Sequence, residues 1–350
     1  ADMQKERAEE QARASAQAAA VKDATEKTQA AVQAKPAEKA ASASWTDKVK
    51  VTGDFRYRHE GIDAEGTPYR SRERLRARAG IDAQVTDSVK VNLGLSTGGD
   101  DPVSGNQTLD GGFSRKSIGL DTAYFDWNAW RSAHLIGGKF KTPFFRTGDN
   151  QLIWDDDLRP EGVAATYDDG TFFGSGALLF AKENALADDI MIYGVQAGGR
   201  LKFGNALKLT AGLSWYDASD VKGKPFLYDT TRSFGNSATG TNYTYGYQEV
   251  EGFAEAATMV FKLPLRIFGD YVTNTEVSTG DTGWSAGLIL GELKDKGTWY
   301  VGYSYRDLQP DAVLGVFTDS DFGGGGTNKR GHAFTAGYAL TERTSLKFIY

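Results

Sequence analysis

The sequence predicts an all-β fold: a transmembrane antiparallel up-and-down β-barrel with a helical extension at its N-terminus. Strands with one apolar and one polar face recur from about Trp45 to the end of the chain, and short connections between them alternate with long ones. No run of residues approaches the roughly 18 apolar positions that a membrane helix needs. A mean hydropathy of −0.44 still suits a barrel, because only alternate residues of each strand face lipid.

The clearest two-sided strand is the stretch 69–85, YRSRERLRARAGIDAQV. Side chains of a strand alternate between its faces. The even positions from Arg70 to Arg78 therefore form a row of guanidinium groups, whereas the odd positions from Leu75 to Val85 form an apolar band. In a soluble sandwich the apolar band would meet a core. In an outer-membrane barrel it would meet lipid, and the arginines would line a water-filled lumen.

The lengths of the connections between strands distinguish a soluble sandwich from an outer-membrane barrel. Similar amphipathic segments, each about 9–11 residues long as a tilted membrane strand requires, lie at 49–58, 89–96, 207–216 and 299–306. The predicted short connections are 86–88, 168–170, 204–206, a break at Pro264, and 341–344; the long ones are 59–69, 97–117, 143–160, 217–247 and 307–330. Outer-membrane barrels have tight turns at one end and long loops at the other, so the alternation favours a barrel.

The number of strands is the next expectation. We count about fifteen within the chain, and bacterial single-chain barrels have even numbers, so we expect sixteen, with either one strand missed or the closing strand beyond Tyr350. Aromatic residues near strand ends, such as Trp127, Trp130, Trp215 and Trp284, suit interfacial girdles. Aromatic residues scattered through a soluble core would be the alternative explanation.

Residues 1–47 differ in composition from residues 48–350. They are rich in Ala, Gln, Glu and Lys, which are mostly strong helix formers, and Pro36 should stop a helix. We expect a periplasmic helix or coiled-coil extension, although the heptad seam is poor because Arg7 and Glu10 occupy core positions. A solvated helix or linker is the alternative.

A water-filled barrel is made selective by charged walls and folded-in loops. The positive wall predicted here lies on the strands around 56–90, and the opposing carboxylates lie in the apolar-rich loop TPFFRTGDNQLIWDDDLRPEG. We expect this loop to fold inward and face the arginines; a surface loop with an acidic tip is the alternative. The predicted pore-lining residues are Arg56, Arg58, Arg72, Arg74, Arg76, Arg78, Lys90, Lys139, Lys141, Asp155, Asp156 and Asp157.

Three segments carry a resemblance to a known family: 101–127 (DPVSGNQTLDGGFSRKSIGLDTAYFDW), GGKFKTPFF and QLIWDDDLRPEG within 137–162, and 311–332 (DAVLGVFTDSDFGGGGTNKRGH). The layout resembles that of general bacterial porins, and the sequence more closely resembles the proteobacterial putative-porin family with a helical N-terminal extension. The resemblance runs through most of residues 48–350. It implies a sixteen-stranded, trimeric passive channel and no assigned substrate.

These features predict an outer-membrane porin of a Gram-negative bacterium, with its N-terminus in the periplasm. Small hydrophilic solutes or ions would diffuse through the pore. An anion-preferring or oligosaccharide-type channel is an open alternative, because the arginine row favours anions. The expected partners are the lipid bilayer, lipopolysaccharide and two further copies of the chain in a homotrimer. The alternative is a structural or adhesive barrel that binds partners through its long outer loops. A net charge of −6 argues against nucleic acid as a partner.

We predict no enzymatic activity, no cofactor and no metal. His59 and His332 are placed near the outer rim with Asp63 and Asp321, which leaves a barrel hydrolase as a third class, but no G-x-S-x-G or H-E-x-x-H motif occurs. The acidic turns 99–101 and 319–321 suit solvated turns better than calcium sites.

Overall fold

The computed structural model describes residues 48–185, 188–204 and 206–350. The helix or coiled coil predicted over residues 1–47 lies outside the described residues. The part that is described is all β, apart from two short 3₁₀ segments at Thr147–Asp149 and Phe322–Gly324. No helix in it has the length and apolar character needed to cross a membrane.

Within the described residues eighteen strands follow one another, of which three have only two residues each. They are β1 Val49–Ile62, β2 Arg70–Gln84, β3 Val89–Thr97, β4 Gln107–Thr108, β5 Ile118–Trp130, β6 Ala133–Lys139, β7 Glu161–Asp168, β8 Phe172–Lys182, β9 Ile190–Phe203, β10 Leu207–Ala218, β11 Ala238–Thr239, β12 Asn242–Tyr243, β13 Tyr247–Val260, β14 Leu263–Asn274, β15 Thr282–Gly291, β16 Trp299–Leu308, β17 Lys329–Thr341 and β18 Thr344–Ile349.

The long strands form a single sheet in chain order, and each long strand is a neighbour of the next. The ladders are antiparallel; β10 and β13, for example, pair from Leu207 with Thr258 to Ala218 with Tyr247. The short β4 pairs with β2, and β11 and β12 form a separate hairpin. The fifteen long strands agree with the expected count of about fifteen. Within the described residues no ladder joins β1 to β18, so closure of the sheet into a barrel stays a prediction.

The connections alternate in length as predicted. At one end of the sheet the turns are short, apart from the connection 292–298; at the other end lie the long loops 98–117, 140–160, 219–246 and 309–328. One predicted turn was misplaced: Pro264 lies inside β14, and the turn is formed by Phe261 and Lys262. Both have positive φ, 51° and 66°, which the two central residues of a type I′ hairpin turn require.

The sheet exposes apolar side chains on one face and buries polar side chains on the other, which is the reverse of a soluble protein. On β10, Leu213 is 68% exposed, whereas Thr210 and Ser214, on the opposite face of the strand, are both 4% exposed. Phe55 on β1 is 71% exposed, and Trp127, Trp130, Trp215 and Trp284 are exposed as well. These tryptophans are therefore not core residues. Apolar surface of this extent needs a solvent other than water, and lipid is the one that suits a two-sided strand.

An apolar cluster lies among the long loops rather than between two sheets. Phe144, Leu152, Ile153 and Trp154 of the 140–160 loop are buried with residues of the 219–246 and 309–328 loops, which are Val221, Phe226, Leu227, Tyr243, Ala312, Val313, Leu314 and Val316. Tyr216 on β10 stacks edge-on against both Phe144 and Trp154, with ring centroids 4.9 and 5.2 Å away. The cluster therefore packs the 140–160 loop against the polar face of the sheet.

Candidate functional site

The sheet presents a row of arginines on the polar face of β1 and β2. Period-two alternation places Arg56 and Arg58 on β1 beside Arg72, Arg74, Arg76 and Arg78 on β2, and we call these six residues the arginine cluster. The side chains of Arg74, Arg76 and Arg78 are only 13–15% exposed. Guanidinium groups this close repel one another, so the cluster requires carboxylate partners or water.

Two carboxylates of β1 partner the cluster from within its own wall. Glu60 forms ion pairs with Arg58, Arg72 and Arg74. Asp54 accepts a hydrogen bond of 3.0 Å from Arg76. Both acids continue the alternation of Arg56 and Arg58 along β1, so a period-two count places them on the same face, although neither was predicted as a pore-lining residue.

The 140–160 loop supplies a further carboxylate. Asp157 Oδ1 accepts hydrogen bonds from Arg76 at 2.8 Å and from Arg78 at 2.9 Å. Burial alone would raise the pKa of Asp157, but the positive charges of Arg76 and Arg78 hold that pKa below its usual value. Of the three consecutive aspartates of this loop, Asp157 is the one that contacts the arginine cluster.

The other two aspartates face elsewhere. Asp156 pairs with Arg146 of its own loop, and its side chain is 67% exposed. Asp155 is buried and accepts hydrogen bonds from the backbone N–H groups of Asp157 at 2.6 Å and Ser320 at 2.8 Å. Burial raises the pKa of Asp155 to about 7. Asp155 therefore fastens the 140–160 loop to the 309–328 loop and does not contact an arginine.

The same loop is anchored on strands distant from β2. The Asn150 amide donates to Asp270 of β14 at 2.8 Å, and the Gly148 N–H donates to Glu255 of β13 at 2.8 Å. Gln196 of β9 bonds both the N–H and the C=O of Phe145, at 2.6 and 3.0 Å. Because the loop contacts β2, β9, β13 and β14, the sheet must curve round it, and the loop lies on the concave side of the sheet.

The 98–117 loop also reaches the arginine cluster. Its strand β4 pairs with β2, with Thr108 opposite Arg74. Asn106 Oδ1 accepts a hydrogen bond of 2.6 Å from Arg56, and the Asn106 backbone oxygen lies 3.5 Å from Arg74. Gly105 permits this approach, because a Cβ at Gly105 would lie 2.8 Å from Ser96 Oγ and 3.2 Å from Arg76 Cδ.

Three further acid–base contacts complete the site, and sequence reasoning missed them because their partners are remote in the chain. Asp321 of the 309–328 loop accepts two hydrogen bonds from Arg58, at 2.8 and 2.9 Å. Asp121 of β5 lies 3.6 Å from Arg78 and 3.5 Å from Arg159. No local pattern indicates which loop carboxylate meets which strand.

The three predicted lysines lie away from the cluster. Lys90 is at the short-turn end of β3, 3.8 Å from Asp126. Lys139 pairs across the sheet with Ala123 and Glu161. These two positions share a face with the apolar residues Leu93 and Val163. The ammonium group of Lys139 bonds Glu161 at 3.0 Å. Lys139 therefore lies on the apolar face, not on the predicted pore wall. Lys141 follows β6 and is exposed.

The histidines are dispersed. His59 bonds Glu73, His134 bonds Asp126, and His332 bonds Tyr303, each at 2.6–2.9 Å. In the described part of the chain no three His, Asp or Glu side chains are grouped as metal ligands. What the site can do chemically is electrostatic: it places a positive wall beside a partly acidic loop.

Two solved structures share this architecture. The Salmonella typhi OmpF complex with daunomycin superposes with a TM-score of 0.52 at 10% identity, over 86% of this chain and 89% of that one. Pseudomonas putida OprB, in its high-pH structure, gives a TM-score of 0.51 at 14% identity, over 88% and 90%. Comparison with curated proteins finds no match.

The antiparallel sheet, its inverted faces and these structural neighbours define the fold class as that of the bacterial porins. The sequence matches the family described as "Putative porin" over residues 62–245 and 237–350. The chain therefore belongs to that porin family.

Proposed function

We propose that residues 48–350 close into a water-filled pore through which small hydrophilic solutes and ions diffuse passively across the outer membrane. The observation that carries this proposal is the position of the 140–160 loop. It bonds the arginine cluster through Asp157 and rests on β9, β13 and β14 through Gln196, Glu255 and Asp270. A loop held on both sides narrows a lumen without blocking it.

The charges around this loop give the pore its selectivity. The arginine cluster forms one side of the constriction, and Asp157 of the loop is in direct ion-pair contact with Arg76 and Arg78 of that cluster. Fixed charges along a narrow space orient water and polar solutes, and an excess of one sign favours ions of the opposite sign. Passage requires no bond to be made or broken, so we propose no catalytic step and no cofactor.

The remaining arrangement is proposed from the sequence. The short turns lie on the periplasmic side, and the long loops face outward with lipopolysaccharide around them. Three copies form a homotrimer. The adhesive alternative finds less support, because residues of the 219–246 and 309–328 loops are buried together with the 140–160 loop and are not all free to bind a partner.

Planar-bilayer recording of the purified full chain tests the proposal. Ohmic conductance steps are expected, and the reversal potential under a KCl gradient should move when Asp155, Asp156 and Asp157 are all changed to Asn. Absence of conductance steps would reject the channel and favour the adhesin. Steps whose reversal potential is the same in the variant would reject the inward acidic loop as a selectivity element.

A further inference from the structure

The arginine cluster has more positive than negative charge. With Arg159, seven guanidinium groups lie there, and the carboxylates within ion-pair distance of them are five: Asp54, Glu60, Asp121, Asp157 and Asp321. Two positive charges therefore remain uncompensated among the described residues. Because partly buried guanidinium groups without a counter-charge are costly, the imbalance indicates a place for an anion.

The imbalance is concentrated at Arg56 and Arg74. In the described part of the chain, Arg56 contacts no carboxylate, and its only hydrogen-bond acceptor is the Asn106 amide oxygen. Arg74 has only long contacts, at 3.4 Å to Glu60 and 3.5 Å to Ser104 Oγ and the Asn106 carbonyl. The Nε atoms of both arginines are buried and have no acceptor among these residues, a feature that they share with Arg58, Arg76, Arg78 and Arg159. Both guanidinium groups thus keep unused donors, and both touch Asn106.

We propose that Arg56 and Arg74 form a binding site for a small oxyanion, with Ser104 and Asn106 of the 98–117 loop at its edge. A guanidinium presents two parallel N–H donors that match the two oxygens of a carboxylate or a phosphate. Chloride offers one acceptor centre and cannot use this geometry. The excess of two charges suits a divalent anion, such as a dicarboxylate or hydrogen phosphate.

This binding site adds a specific step to the proposed passage of solutes. It rests on the proposed function, because an anion reaches the site only through a water-filled pore. It implies that oxyanions pause at Arg56 and Arg74 during passage, so that they inhibit the current carried by chloride. Such inhibition should saturate, because it reflects occupancy of one site. A purely electrostatic wall would instead alter anion and cation flow without saturation.

The test uses single-channel recording in KCl with added succinate in one series and added sodium phosphate in the other. Saturable reduction of the chloride current by either anion is expected in the unaltered protein. Arg56→Gln should raise the half-blocking concentration roughly tenfold or more, since charge-assisted hydrogen bonds are lost. Arg56→Lys keeps the charge but not the paired donors, so its half-blocking concentration should lie between those of the unaltered protein and Arg56→Gln.

Two variants control for folding and for charge. Arg200→Gln removes a guanidinium that pairs with Asp168 at the short-turn end of the sheet, and it should leave the half-blocking concentration unchanged. Asn106→Ala alters only the loop side of the site and should weaken block without loss of a charge. Block by only one of the two anions would assign the site to a carboxylate or to a phosphate.

The proposal is overturned if neither anion blocks the chloride current in a saturable manner. It is also overturned if the half-blocking concentrations of Arg56→Gln and Asn106→Ala both equal that of the unaltered protein. Either result in a protein that still conducts chloride rejects the site alone. Absence of any chloride conductance would instead reject the channel proposed above.

Discussion

The guanidinium of Arg76 donates a hydrogen bond of 2.8 Å to the carboxylate of Asp157, which lies 81 positions further along the chain. The bond joins strand β2 to the 140–160 loop, and the same carboxylate oxygen also accepts from Arg78. One acid thus neutralises part of the repulsion within the arginine cluster and holds the loop against it.

Removal of this acid should change ion selectivity. Asp157→Asn leaves Arg76 and Arg78 with less counter-charge, so the reversal potential under a KCl gradient should shift toward anion preference. Asp156→Asn is the matched control, because it removes the same charge from the neighbouring residue, whose partner is Arg146 and not the cluster. Equal shifts in the two variants would mean that position relative to the arginines is unimportant.

The attachment of the 140–160 loop should depend on pH through Asp155. Its pKa is raised from an ordinary value of 3.8 to about 7, so between these values the folded protein binds a proton that the unfolded chain does not. The free energy of unfolding should therefore fall as pH rises from about 4 to about 7, by up to about 4 kcal/mol from this group.

Asp155→Asn removes that titration and should flatten the dependence. Denaturant unfolding of the detergent-solubilised protein at pH 5 and pH 8 measures it, with Asp156→Asn for comparison, since the pairing of Asp156 with Arg146 lowers its pKa against the effect of burial. A slope in Asp155→Asn equal to that of the unaltered protein would contradict this assignment.

The aromatic anchor of the loop should be energetically significant. Trp154 is 5% exposed and packs against Phe144, Tyr216 and Phe317, with ring centroids 5.2–6.3 Å away. Trp154→Ala should lower the free energy of unfolding by about 3–5 kcal/mol and increase conductance, because the loop is released. Trp130→Ala, at a position 67% exposed, should do neither, and similar behaviour of the two variants would refute the anchoring role.

The ion pair between Arg58 and Asp321 should couple β1 to the 309–328 loop. Its two parallel hydrogen bonds give good geometry, but the Asp321 side chain is 42% exposed, so water reduces the interaction to about 1 kcal/mol. A double-mutant cycle with Arg58→Gln and Asp321→Asn measures it by thermal unfolding. Strictly additive effects would show that the two residues act independently.

The position of Lys139 gives a test of which face lines the pore. Its pairing with Ala123 and Glu161 places it on the apolar face, so Lys139→Gln should leave the reversal potential unchanged. Arg78→Gln removes one charge from the polar face and should shift the potential toward cations. A comparable shift in Lys139→Gln would place that lysine on the pore wall after all.

Lys139 also shows where reasoning from the sequence failed. Lys139 and Lys141 were both predicted to line the pore, but β6 ends at Lys139 and Phe140 is already buried outside the strand. Three residues are too few to establish a period of two when a strand ends among them. The arginines of β2 occupy five consecutive alternate positions within one long strand, which is enough for a period of two to assign them a common face.

By itself, the sequence determined the two-sided strands, their number, the alternation of short and long connections and the shared face of the arginines. All of these follow from local backbone geometry, because a period of two and a turn preference depend only on neighbouring residues. Only the tertiary structure decided that Asp157 meets Arg76 while Asp155 bonds Ser320, and that Asp321 reaches Arg58 from the far end of the chain. Such pairings depend on how the sheet curves and where each loop comes to rest, which no local pattern encodes.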